Sequence, residues 1–418
     1  MKRKLIGLCA VVLVLALLLT LAPACGKGEV GPGVTPTPGT PGVTPTPTPQ
    51  AKELKIGCVT PLSGPAAPWG VEGLEGGQWA VDKINTAGGF KVGADTYMVK
   101  IVSADTKGVG SVANEQLTRL IYDEGIHYAY GTTSIDPLQV LAEQGKCFFG
   151  IIGNAISARI PYCIVGAAPP AIWHETFWKQ AYQFHPEIKT VAVVADVTAN
   201  SDLYVAGCLD FHPRFGREVV EVKRYQPGTT DYYPVLTSVV AKNPDAIDFA
   251  GGIRGDIDLM VKQARELGYR GICAGGAHGD AASTIAVAGC AYAEGFIYND
   301  PDYNSELYPE STRQLYAEFQ KRFPGRPLAL TTYLGYGFVQ FYRQAIEKAG
   351  SIDPDTVMKV LDDPNWTFEW FGQPGKSLGG ANFEKNPQLR RWLQDEVTYS
   401  ELVNCKKVMK SREAVVIP

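Results

Sequence analysis

The chain has 418 residues, 45% of them hydrophobic and 20% charged, with a formal net charge of −4. That balance is ordinary for a globular protein, and the length suits two or three domains. A mildly acidic body lacks the concentrated basic face that nucleic-acid recognition needs, so no nucleic-acid partner is expected.

The first 24 residues read as an export signal. Lys2, Arg3 and Lys4 precede an apolar run from Leu5 to Leu21, and Ala22-Pro23-Ala24-Cys25 follows. The small residues ahead of Cys25 resemble a bacterial lipobox, from which Pro23 departs slightly; that resemblance makes Cys25 the lipidated N-terminus of the mature protein. An uncleaved membrane anchor is the alternative, since the apolar run approaches spanning length. Either way the body is extracytoplasmic and tethered to the cell membrane; cleavage, by removing the three N-terminal cations, would take the net charge from −4 to −7. Residues 25–52 carry the lipidation site and a tract of Gly, Pro and Thr that buries no core and forms an extended spacer.

From Leu54 the pattern alternates strand and helix. A strand at Leu54–Val59 is broken by Thr60-Pro61-Leu62-Ser63-Gly64-Pro65, and a helix is expected over Val71–Ala87. Its buried stripe would be Leu74, Gln78, Val81 and Ile84, with Glu72 and Glu75 in the first turn and Gly88-Gly89 as the stop. A strand at Tyr97–Ala104 and a helix at Gly110–Asp123 follow. Next comes Gly131 to Ser157, which begins where the apolar run Tyr128–Tyr130 stops in a small polar turn and contains a second apolar run, Phe148–Ile152, that ends in another. A short helical pattern (Leu138, Val140, Leu141) separates them. The crevice beyond the carboxyl ends of parallel strands is where open α/β sheets hold ligands, and helix starts there favour anions. The stretch therefore reads as a carboxylate cradle.

The alternation restarts after Cys163-Ile164-Val165-Gly166 and runs through helix Pro170–Phe184 to helix Ala281–Ala288. Phe296-Ile297-Tyr298 reads as a strand returning to the first lobe. Helices near Tyr303–Phe323, Ala329–Ala349 and Pro354–Leu361 come next, and residues 365–418 are expected to supply edge strands to the second lobe. The fold class is α/β, two doubly wound lobes joined by a hinge the chain crosses three times, near Val165, Gly295 and Trp370. Lobe 1 is expected to comprise 53–165 and 297–369, and lobe 2 166–296 and 370–418; a monomer is assumed.

Seven cysteines remain beyond the signal, at 58, 147, 163, 208, 273, 290 and 405. An odd number leaves at least one thiol free, and Cys58, Cys147 and Cys273 sit in apolar runs as small core residues; no pairing is assigned. There is no CxxC pair and no Cys/His metal spacing, so neither a metal nor a cofactor is expected. No GxSxG, HExxH or Walker-type loop is present, the spaced glycines of Gly70–Gly76 do not have dinucleotide spacing, and the five histidines are scattered. An enzyme is not expected.

Four stretches together resemble a known family. Lys55-Ile56-Gly57 through Pro61-Leu62-Ser63-Gly64-Pro65 to Asp82-Lys83-Ile84-Asn85, Tyr225-Gln226-Pro227-Gly228-Thr229-Thr230-Asp231-Tyr232 with Asn243-Pro244-Asp245, Tyr336-Gly337 through Gly350-Ser351, and the Gly131–Ser157 turns are similar to the solute-binding proteins of branched-chain amino acid ABC importers. The resemblance implies the type I periplasmic binding protein fold and partnership with ABC permease and ATPase subunits. It also implies that Thr133, Ser134, Ala155, Ile156 and Ser157 hold a ligand carboxylate, with Trp69 as an aromatic lid.

Three positions depart from the family pattern. The loop Gly275-Gly276-Ala277-His278-Gly279 offers His278 where members that bind free amino acids carry an acidic residue for the ammonium; imidazole is a poor partner for it. Ile253, beside Arg254, stands where an aromatic polar residue is common. Asn200 stands near the place of a tyrosine, with Tyr204 as a substitute. These changes point to a guest with a carboxylate and no ammonium, an aromatic or short aliphatic acid, although Asp280 could restore ammonium binding. A branched-chain amino acid is the lesser reading, and a sensory or regulatory binder of the same fold is the alternative to transport.

Overall fold

The computed structural model describes residues 51–415 apart from 65, 132–135, 153–161, 253, 277–280, 364, 377–392 and 394–395. Near-continuous apolar runs make strands buried on both faces, and the chain places helices between them. β1 (Lys52–Thr60), β2 (Phe90–Val92), β3 (Asp95–Asp105), β4 (Tyr128–Gly131), β5 (Phe148–Ile151) and β6 (Cys163–Val165) form one sheet in the order β2-β3-β1-β4-β5-β6. β2 runs antiparallel to β3, across a turn at Gly93, and the remaining pairs are parallel. The helices α1 (Ala67–Thr86), α2 (Gly110–Tyr122) and α3 (Asp136–Gln144) alternate with these strands.

The second run alternates in the same way. It comprises α4 (Pro170–Phe184), β7 (Thr190–Asp196), α5 (Ala199–Arg214), β8 (Glu218–Tyr225), α6 (Tyr233–Val240), β9 (Ala246–Phe249), α7 (Arg254–Glu266), β10 (Ile272–Gly275), α8 (Ala281–Ala288), α9 (Cys290–Ala293) and β11 (Ile297–Tyr298). Strand alternation sorts β7 between two cores: Val191, Val193 and Ala195 pack with α4 and α5, whereas Ala192 and Val194 pack with α6 and α7. Then α10 (Glu310–Arg322), α11 (Leu330–Ala349) and α12 (Pro354–Asp362) return to the first sheet, where the Tyr342 hydroxyl donates to the Ala129 carbonyl at 2.7 Å.

The C-terminal part divides between the two sheets. β12 (Thr367–Trp370) and β13 (Gln373–Lys376) make a separate hairpin whose Phe368 and Trp370 pack on Phe341 and Phe338 of α11. β14 (Glu396–Val403) and β15 (Lys406–Ala414) extend the second sheet, whose order is β15-β14-β11-β10-β9-β7-β8. A disulfide joins Cys290, at the start of α9, to Cys405 in the β14–β15 turn, and the thiols of Cys58, Cys147, Cys163, Cys208 and Cys273 are free and buried.

Six expectations are corrected. β11 pairs with β10 and β14 in the second sheet, so the chain returns to the first after Tyr298 rather than at Gly295; two residues carry no periodicity that could assign a sheet. β12 and β13, expected as edge strands of the second sheet, pair only with each other, so the chain does not join that sheet at Trp370. α1 starts four residues early, with Pro68 in its first turn, so Glu72 and Glu75 lie beyond that turn and ion-pair or hydrogen-bond to Arg326 and Thr331. Its buried face is Gly70, Gly73, Gly76, Gly77, Trp79, Ala80, Val81 and Ile84, while Gln78 is exposed. α10 begins at Glu310 rather than near Tyr303, and Val140 of α3 points to solvent.

Candidate functional site

Parallel register brings the strand ends together. Cys58 pairs with Tyr130 and Gly131 with Ile151, so β1, β4 and β5 release the chain side by side. A Cβ on Gly131 would lie 1.7 Å from the Val59 carbonyl oxygen, so at the end of β4 only glycine fits between the two strands. In the second sheet, Val194 pairs with Phe249 and Asp248 with Ala274, which aligns the ends of β7, β9 and β10.

On the first sheet one carboxylate organises the mouth. Asp105, the last residue of β3, accepts hydrogen bonds from the Leu62 N–H (2.8 Å), the Ser63 hydroxyl (2.6 Å) and the Lys107 N–H (2.8 Å). The Ser63 hydroxyl and the backbone donors hold its carboxyl down at about 2. The loop after β1 is thereby pinned to the loop after β3, and the first turn of α1 packs on it at Gly70, where a Cβ would lie 1.8 Å from the Pro61 carbonyl oxygen. Trp69, in the same turn, has 49% of its surface exposed.

The second sheet repeats the device. Asp196 ends β7 and is buried, accepting from the Thr198 N–H (2.9 Å) and hydroxyl (2.6 Å). Thr198 in turn caps α5 by accepting from the Ser201 N–H, and the Ser201 hydroxyl donates to the Gly251 carbonyl at 3.0 Å. The loops after β7 and β9 are thus tied together, with Asn200 exposed in the first turn of α5. Asp256, in the first turn of α7, accepts from the Gly228 N–H at 3.1 Å and so holds the Gly228 turn.

The predicted site residues divide accordingly. Trp69 and Asn200 are exposed at helix starts beyond strand ends in the first and second sheets, and Arg254 opens α7. Thr133, Ser134, Ala155, Ile156, Ser157, Ile253 and His278 lie outside the described residues, in segments that directly follow β4, β5, β9 and β10. Cys25 also lies outside them. Tyr204 is fully buried, edge-on against His174 with ring centroids 5.4 Å apart, which removes it as a substitute for Asn200. Sequence reasoning missed Asp105 and Asp196. The available signal was an aspartate ending an apolar run with a small or polar residue two positions on, the pattern of an Asx turn.

A family model described as periplasmic binding protein matches residues 53–383. A Leu/Ile/Val-binding protein homolog of Brucella melitensis is 24% identical over 329 residues, 74% of this chain and 83% of the relative. The branched-chain amino acid transporter substrate binding protein LivJ of Streptococcus pneumoniae, solved in complex with isoleucine, superposes with a TM-score of 0.68 at 17% identity, over 87% of this chain and 99% of that one. An amino acid ABC transporter substrate-binding protein from Pseudomonas fluorescens gives a TM-score of 0.73 at 14% identity, covering 88% and 97%.

Proposed function

The chain belongs to the periplasmic binding protein family, and from that premise we propose that it captures a small carboxylate-bearing solute between two lobes and delivers it to an ABC importer. The observation that carries this reading is the side-by-side alignment of the β1, β4 and β5 ends in one sheet and of the β7, β9 and β10 ends in the other, with a strand-ending aspartate ordering the loop that follows it in each. The names of the similar proteins support transport as the setting, since they are described as amino acid binding or ABC transporter components.

In this reading Thr133, Ser134, Ala155, Ile156 and Ser157 hold the carboxylate, Trp69 forms the apolar lid, and Asn200, Ile253, Arg254 and His278 select the guest. The lobe division is the one given above, with β11 assigned to lobe 2. Imidazole at His278 favours an acid without an ammonium group. Membrane attachment through Cys25 belongs to the same proposal and is checked by metabolic labelling with a fatty acid, which Cys25→Ala should abolish.

Calorimetric titration with leucine, isoleucine, benzoate-type acids and short keto acids tests the ligand class. Binding of an acid with weak or no binding of leucine is expected. Tight leucine binding that His278→Ala abolishes would overturn the non-amino guest.

A further inference from the structure

β9 lies in the middle of the seven-stranded sheet, flanked by β10 and β7, and its Asp248 is fully buried. A carboxylate at such a position is costly unless neutralised and hydrogen-bonded. Four other buried polar side chains converge on it. His174 Nε2 lies 2.8 Å from Oδ2 and 3.1 Å from Oδ1, Cys208 Sγ is 3.3 Å from Oδ2, and the Trp178 indole N–H donates to Oδ2 at 2.8 Å. His212 Nε2 is 3.4 Å from the same oxygen, and among the described residues that nitrogen has no hydrogen-bond partner, although the side chain is wholly buried. Among those residues the ion pairs of Asp248 are to the two imidazoles alone, with no Lys or Arg.

We propose that His174, Cys208 and Asp248, with His212 beside them, form a buried structural site for a zinc-class divalent ion in the second lobe. One ligand atom from each of the first three lies within 4.8 Å of the others. A tetrahedral zinc site with bonds of about 2.0–2.3 Å spaces its donors roughly 3.3–3.6 Å apart, so changes in separation of up to about 1.3 Å, shared between two side chains, accommodate the ion. The donor set of imidazole nitrogen, thiolate sulfur and carboxylate oxygen suits zinc. Cysteine gives up its thiol proton on binding, and a thiolate with a carboxylate then cancels the two positive charges of the ion.

The surroundings resemble the supporting shell of a metal centre. The Tyr182 hydroxyl lies 2.5 Å from His212 Nδ1, holding that ring by its far nitrogen, and Trp178 holds the carboxylate. The ion would enter as the lobe folds and staple α4, α5 and β9 together. Spacing in sequence could not reveal the site: Asp248 is 74 positions from His174 and 40 from Cys208.

The purified protein, produced with zinc supplied and washed with chelator, should retain about one equivalent by elemental analysis and show a zinc adduct by native mass spectrometry. Replacement by cobalt should give a thiolate-to-cobalt charge-transfer band together with tetrahedral d–d bands. That band should disappear in Cys208→Ser and persist in Cys273→Ser, which alters another fully buried cysteine in a neighbouring strand. Retained zinc should fall at least tenfold in Cys208→Ser. Metal at buffer level in folded wild-type protein would mean a hydrogen-bonded carboxylate only and overturn the proposal, as would a charge-transfer band that survives Cys208→Ser. The native mass measurement needs no variant, so it decides the question even if Cys208→Ser fails to fold.

Discussion

Asp105 and Asp196 do the same work at the mouths of the two sheets: each ends a strand, turns on its own backbone two residues later and thereby sets the next loop. Asp105→Asn keeps the shape of the side chain and removes a charged acceptor from three donors. We expect a loss of about 1–2 kcal/mol by urea denaturation at pH 7. The carboxyl is lowered to about 2 in the folded state, so its contribution is present above the unfolded value of about 3.9 and is lost as pH falls through about 2. The wild-type advantage over Asp105→Asn should therefore shrink between those values. His185 is the opposite case: Glu401, at 3.8 Å, and Glu187, at 3.0 Å, raise its pKa, while His185 and Lys410 lower that of Glu401. The imidazolium stabilises below about pH 6.5 and the effect fades as pH rises through the raised value; the carboxylate stabilises above about pH 4.5. His185→Gln should cost about 0.5–1 kcal/mol, most between those two pH values and less at pH 9.

At the scale of elements, α1 and α11 touch through backbone. A Cβ on Gly76 would lie 2.0 Å from the Thr332 carbonyl oxygen, and one on Gly335 2.1 Å from that of Gly73. Gly76→Ala forces the helices apart, so about 2–3 kcal/mol should be lost in chemical denaturation. Gly110→Ala, at the open start of α2, meets nothing within 4 Å and should be neutral or slightly stabilising. The spaced glycines were legible in the sequence, but a hydrophobic pattern counts only side chains with apolar bulk and so missed this face. The C-terminal hairpin is held at its turn by the Cys290–Cys405 bond, which closes a loop across 115 positions. Reduction, or Cys290→Ser with Cys405→Ser, should lower stability by about 2–4 kcal/mol, read as a drop in Tm. Mass spectrometry after alkylation without reductant should leave both residues unmodified in the wild type.

At the scale of the whole molecule, two sheets have separate cores: one cluster around the first sheet, and two around the second, one on each face. A guest bound to both lobes would couple their unfolding. At one hundred times its Kd a true ligand should add about 2.7 kcal/mol, visible as a thermal shift, whereas an acid that does not bind leaves Tm unchanged.

The amino-acid sequence by itself determined the alternation of strands and helices, and some bounds directly. Pro170–Phe184 and Ala281–Ala288 are delimited by neighbouring residues and repeat their own burial pattern. Local spacing is enough there, because a helix satisfies its own backbone. It was also enough to find the apolar runs that become β4 and β5. Only the tertiary structure decided which sheet takes the two residues of β11, which cysteines pair, why α1 turns glycine to α11, and that His174, Cys208, His212 and Asp248 meet. Each of these depends on partners distant in sequence, and periodicity within one segment reports that a face is buried without naming what buries it.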